Sequence, residues 1–143
     1  VTICCREKNP VFENQAYATK AWDYLKKQLK INDGDLSAIV LLPDHLHIII
    51  DFFEGNNQPL GVRISEIKKR ITWAIRKAGW QGKRLWQKNY YEHIIRNEKD
   101  WYEKVNYMRN NPVMKGLVEE ADEWRYWWTV GYDNPLDENQ TGG

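Results

Sequence analysis

His45 and His47 are separated by one residue in the run His45-Leu46-His47-Ile48-Ile49-Ile50, whose β-branched composition suits a strand. Successive strand side chains point to opposite faces, so both imidazoles leave one face and Leu46 the other. Nitrogens from alternate strand residues can converge on one divalent ion, and two polar rings on an otherwise apolar strand need partners. A histidine pair that hydrogen-bonds near a strand end fits the same pattern. An ion would need a further ligand from elsewhere in the fold. Amide or carboxylate oxygens with water suit Mg²⁺ or Mn²⁺, whereas more imidazole or sulfur would favour zinc.

Tyr107 and Asn111 offer the complement. They are four residues apart, so on a helix they share a face. If Asn111 reaches the ion, Tyr107 stands one turn away, beside a phosphate bound there. A tyrosine hydroxyl with its pKa of about 10 is a poor nucleophile until activated. A metal ion helps by polarising the phosphate and orienting it for in-line attack. The product, a phosphotyrosyl ester, keeps the phosphodiester energy for rejoining. The spacing alone also fits a tyrosine on an amphipathic core helix. His93, the third histidine, shares a strand face with Tyr91 and Ile95, where it can position a phosphate or water or pack as a hydrogen-bonded ring.

These groups sit in a chain of 143 residues, the size of one domain, with no Pro/Gly/Ser-rich linker. Residues 1–130 read as that domain and 131–143 as an acidic, loose tail. At 42% hydrophobic and 29% charged the chain belongs to the globular class. No run of about 18 apolar residues exists to span a membrane. The start reads as a strand entered midway, without the shape of a signal peptide. Adjacent Cys4 and Cys5 point to opposite faces of that strand, so they are not expected to pair, which suits a reducing bacterial cytoplasm.

The net charge of +1 conceals an uneven distribution. Residues 61–90 hold nine basic residues against Glu66, a net +8, while 118–143 hold seven acids against Arg125, a net −6. Arg63, Lys68, Lys69, Arg70, Arg76, Lys77, Lys83, Arg84 and Lys88 are therefore candidate phosphate contacts, or alternatively a solvated helix face. Trp80 and Trp86 are candidate base-stacking groups, or alternatively core aromatics.

The pattern predicts a strand over 1–6, helices over 15–31 and 60–78, and paired strands over 36–42 and 45–51. Turns are expected at 32–35 and 54–59. A fourth strand is expected over 90–96 and a last helix from about 100 to 109, limited by Pro112. The order β-α-β-β-α-β-α is that of a ferredoxin-like α+β fold: an antiparallel sheet with its first two helices on one face, plus the helix carrying Tyr107.

Three ordered motifs resemble the REP-associated tyrosine transposases, relatives of the single-tyrosine insertion-sequence transposases in the HUH endonuclease superfamily. They are Leu42-Pro43-Asp44-His45-Leu46-His47, the stretch from Trp86 to Arg96, and the stretch from Tyr107 to Leu117. The resemblance runs from Val1 to about Trp128. It implies His45, His47 and Asn111 as ligands of Mg²⁺ or Mn²⁺, Tyr107 as nucleophile, and His93 as an auxiliary group. It further implies a single-stranded hairpin DNA substrate, such as a repetitive extragenic palindrome, and a 5′-phosphotyrosine intermediate, in a monomer or a homodimer. The alternatives are a domesticated hairpin-binding protein that no longer cuts, and a phosphodiesterase that uses water and has no need of Tyr107.

Overall fold

A computed structural model describes residues 1–31, 35–51 and 58–131; most of both expected turns and the acidic tail lie outside them. The elements are β1 (Thr2–Cys4), α1 (Gln15–Ile31), β2 (Leu36–Leu42), β3 (His45–Ile50), α2 (Leu60–Lys77), α3 (Glu98–Met114) and β4 (Trp127–Thr129). The sheet is antiparallel throughout, in the order β1-β3-β2-β4. Pro43 and Asp44 form a two-residue connection between Leu42 and His45, which face each other across the β2–β3 ladder.

β2 is buried at every position because both faces of the sheet are covered. Ile39 and Leu41 join Leu46 and Ile48 in the core beneath α1 and α2. Ala38, Val40 and Leu42 join Ile49 beneath Val105 and Met108 of α3. A strand sandwiched this way shows a continuous apolar run, not an alternating one. On α2 the buried stripe is Ile64, Ile67, Ile71 and Ile75, and each such side chain contributes about 1.5–3 kcal/mol of burial.

Two expectations need correction. Residues 90–96 form no strand, and the fourth strand is β4, paired with β2 at the other side of the sheet. The stretch after Leu85 does run beside β1, but its pairing there is limited to the isolated bridges Thr2–Tyr91 and, just past the strand, Cys5–Trp86. Three residues separate the β1 partners and five the others, so no continuous ladder can join them. β4 comes from the acidic, tryptophan-rich stretch after α3, where the sequence pattern predicted no strand.

The second correction concerns α3, which continues through Pro112 to Met114. Pro112 lacks only the N–H of a single helical bond, and the helix stops where Gly116 takes a φ of +73°. There Leu117 N–H donates to the Pro112 carbonyl and Gly116 N–H to that of Val113, a Schellman closure. At the other end the Asn97 side chain accepts from Asp100 N–H at 2.8 Å, capping the first turn.

Candidate active site

Strand alternation places His45 and His47 on the sheet face covered by α3, while Leu46 and Ile48 enter the opposite core. Their Nε2 atoms lie 3.0 Å apart. Each remaining ring nitrogen is held: His45 Nδ1 by Asp44 Oδ1 at 2.6 Å, and His47 Nδ1 by Thr2 Oγ1 at 2.8 Å. With both rings neutral, one proton arrangement fits these distances. His45 Nδ1–H donates to Asp44, His47 Nε2–H donates to His45 Nε2, and the Thr2 hydroxyl donates to His47 Nδ1. The Thr2 hydroxyl can also accept, so His47 can move its proton to Nδ1 and free both Nε2 lone pairs.

Burial keeps these rings neutral. It lowers the His47 pKa to about 3, helped by the neighbouring His45 and by Lys104 and Lys115. His45 is lowered by the same burial against the opposing pull of Asp44. A neutral imidazole is the ligand form.

α3 buries Val105, Met108, Asn111 and Pro112, the face that packs on this side of the sheet. Asn111 is 4% exposed, and its Oδ1 has no hydrogen-bond partner. Such an orphan costs about 1–3 kcal/mol, so it asks for a ligand. Among the described residues no three His, Cys, Asp or Glu side chains gather as a metal cluster. Two imidazole nitrogens and one amide oxygen are nevertheless donor types that would suit a hard divalent ion completed by water or phosphate.

Tyr107 lies one turn before Asn111, 49% exposed, with its ring centroid 6.1 Å from that of His47. Both line a cavity of about 910 Å³ together with Thr2, Tyr91, His93 and Lys104. His93 Nε2 is 3.2 Å from Asp100 Oδ2, so the ring that lines the cavity is also held in a hydrogen bond. Lys104 Nζ sits 5.5 Å from the Tyr107 ring centroid, bringing positive charge to the cavity. Lys104, Asp44 and Thr2 escaped sequence reasoning. The i,i+3 spacing of Lys104 and Tyr107 was an available signal, whereas Thr2 meets His47 only through strand pairing.

The structure divides the basic segment. Arg63 is a correction: it is 3% exposed and fastened to Asp35 by bonds of 2.7 and 3.1 Å, so it cannot contact a phosphate. For Trp86 the structure selects the core alternative over base stacking: the ring is buried in the core and its indole donates to the Lys68 carbonyl. Lys68 is half-buried, and its ammonium donates to the Gln87 and Lys88 carbonyls at 2.9 and 3.4 Å. Trp80 packs partly on the core, with Arg76 over its ring. Lys69, Arg70, Arg76, Lys77, Lys83, Arg84 and Lys88 are exposed.

Comparison with known proteins adds four findings. The family model described as "Transposase IS200 like" matches residues 1–111. A REP-associated tyrosine transposase of Escherichia coli K12 is 37% identical over 92 residues, 64% of this chain and 52% of the relative. The match thus spans about half the relative's length. An uncharacterised protein of Haemophilus influenzae is 33% identical over 80% of this chain and 79% of its own. Among solved structures, a REP-associated tyrosine transposase bound to a REP hairpin superposes with a TM-score of 0.71 at 29% identity. It covers 88% of this chain and 72% of that one.

Proposed function

This chain belongs to the IS200-like transposase family, and from that premise we propose that it cleaves and rejoins single-stranded hairpin DNA through a covalent bond to Tyr107. The observation that carries the reading is the unpartnered Asn111 Oδ1, on the helix face that covers the sheet surface bearing His45 and His47. His45, His47 and Asn111 would hold Mg²⁺ or Mn²⁺. When bound, that ion neutralises phosphate charge and polarises the phosphorus–oxygen bonds.

The chain's own groups do the rest. Asp44 sets the His45 tautomer that leaves its Nε2 lone pair free, and the Thr2 hydroxyl, by accepting from His47 Nδ1–H, would let the His47 Nε2 lone pair serve the same ion. Lys104 contributes positive charge beside Tyr107 where the phosphate would lie. The Tyr107 hydroxyl loses its proton and its oxygen attacks phosphorus. The bond to the 3′ oxygen breaks, that oxygen takes up a proton, and DNA is left joined to Tyr107 through a 5′ phosphate. Attack by a 3′-hydroxyl on this ester reverses the exchange, with no external energy source. His93, held by Asp100 at the cavity edge, takes an auxiliary part in positioning phosphate or water.

The relative's REP hairpin supports a hairpin substrate for this chain. The test is a labelled hairpin with a single-stranded flank, incubated with Mn²⁺ or Mg²⁺. We expect a product with a free 3′-hydroxyl, lost with a chelator and restored by added metal. Cleavage that is indifferent to chelation would refute the metal role.

A further inference from the structure

The chain's eight tryptophans all lie among the described residues, and seven of them are buried or packed against the two cores. Trp73 is the exception at 57% exposure. It stands on the solvent face of α2, between the inward-facing Ile71 and Ile75. Lys77, one turn on, places its Nζ 4.1 Å from the centre of the Trp73 ring and so restrains the indole.

The ring also lines two grooves. The larger, about 750 Å³, is lined by Lys68, Lys69, Arg76, Lys83, Arg84 and Lys88, with no carboxylate. The other, about 590 Å³, shares Lys69 and Trp73 with it and adds Arg70 and Glu66. A planar aromatic face among cations matches a nucleotide, whose base has a π-face and whose backbone is anionic. The location fits the same substrate. Gln87 and Lys88 border the larger groove while Tyr91 borders the cavity holding Tyr107, so one short stretch of chain joins the two.

We propose that Trp73 is a stacking platform for an unpaired base of the DNA hairpin, away from the cleaved bond, with the adjoining phosphates held in the Lys69–Arg84 groove. This rests on the reading of the chain as a hairpin-DNA enzyme. It adds a second point of contact on the opposite side of the sheet from the α3 face. Stacking is sequence-tolerant, so Trp73 selects for the presence of an unpaired base at a fixed distance from the cavity and not for its identity.

The experiment uses hairpins carrying 2-aminopurine at one unpaired position at a time, in the loop, at an internal mismatch or in the flank. Fluorescence and affinity are read for wild type, Trp73→Leu and Trp73→Phe at several salt concentrations. Wild type is expected to quench one position strongly. Trp73→Leu should abolish that quench and weaken binding about tenfold, within the range of base–aromatic stacking, with an unchanged salt slope because no cation is removed. Trp73→Phe should recover most of both. Thermal melting checks that the variants are folded. Unchanged quench and affinity in Trp73→Leu overturn the proposal. Wild type that forms the Tyr107 adduct yet quenches no unpaired position overturns the stacking and leaves the catalytic reading standing, whereas wild type that binds no hairpin overturns both.

Discussion

Asn111 carries an unpaired amide oxygen in a buried place, so function and stability should pull apart there. Asn111→Leu removes the orphan and keeps the side-chain shape. We expect the metal-free protein to be no less stable, and up to about 1 kcal/mol more stable, in urea unfolding. The same variant should lose the rise in melting temperature that Mn²⁺ gives the wild type. A destabilised variant that still responds to Mn²⁺ would contradict the assignment. Asp44 and Thr2 act through the imidazoles they hold, so Asp44→Asn or Thr2→Val should weaken Mn²⁺ binding about 10–100-fold by calorimetry. The histidine pair and the Tyr107–Asn111 spacing were legible because strand and helix periods fix which side chains share a face. Their supports were less so, since Thr2 and His47 are 45 residues apart and meet only through strand register.

At the scale of elements, α2 divides its charges between structure and surface. Arg63→Met leaves Asp35 a buried, unpaired carboxylate and should cost about 3–5 kcal/mol in urea unfolding. It should leave the salt dependence of DNA binding alone. Arg84→Gln should do the opposite, lowering the salt slope by about one unit with little effect on stability. A salt slope lowered by Arg63→Met would contradict its structural role. The sequence showed where cations cluster along α2 and the loop after it, but not the partner at Asp35 that withdraws Arg63 from the surface. It also misplaced the fourth strand. The 90–96 stretch has strand composition, yet its two bridges to β1 are out of step, while β2 finds its outer neighbour in Trp127–Thr129. Pro112 misled for a local reason: a proline in the last turn removes one bond, and the actual stop signal was Gly116.

At the scale of the whole molecule, the proposed catalytic face is assembled from β1, β3 and α3, and its histidines couple folding to pH. The folded His47 pKa is about 3, below the ordinary value of 6.5, so between those values the unfolded state binds the extra proton. Its contribution to stability is therefore complete above about pH 6.5 and is lost as pH falls toward 3, with a slope of up to about 1.4 kcal/mol per pH unit. In metal-free urea titrations from pH 4 to 7, His47→Gln should flatten this dependence. Equal slopes in the two proteins would count against the buried neutral ring.

The proposed covalent step at Tyr107 is tested most directly by an attempt to trap it. Wild type and Tyr107→Phe are incubated with labelled hairpin DNA and Mn²⁺, denatured, and resolved, and the adduct is mapped by peptide mass spectrometry. Tyr107 is half exposed, so removing its hydroxyl should leave folding and hairpin affinity close to those of wild type. The account predicts an adduct on the Tyr107 peptide in wild type and none in Tyr107→Phe. An equal adduct in the Phe variant, or hairpin binding by wild type with no adduct on any substrate, would contradict it, the latter in favour of a protein that binds hairpins without cutting them.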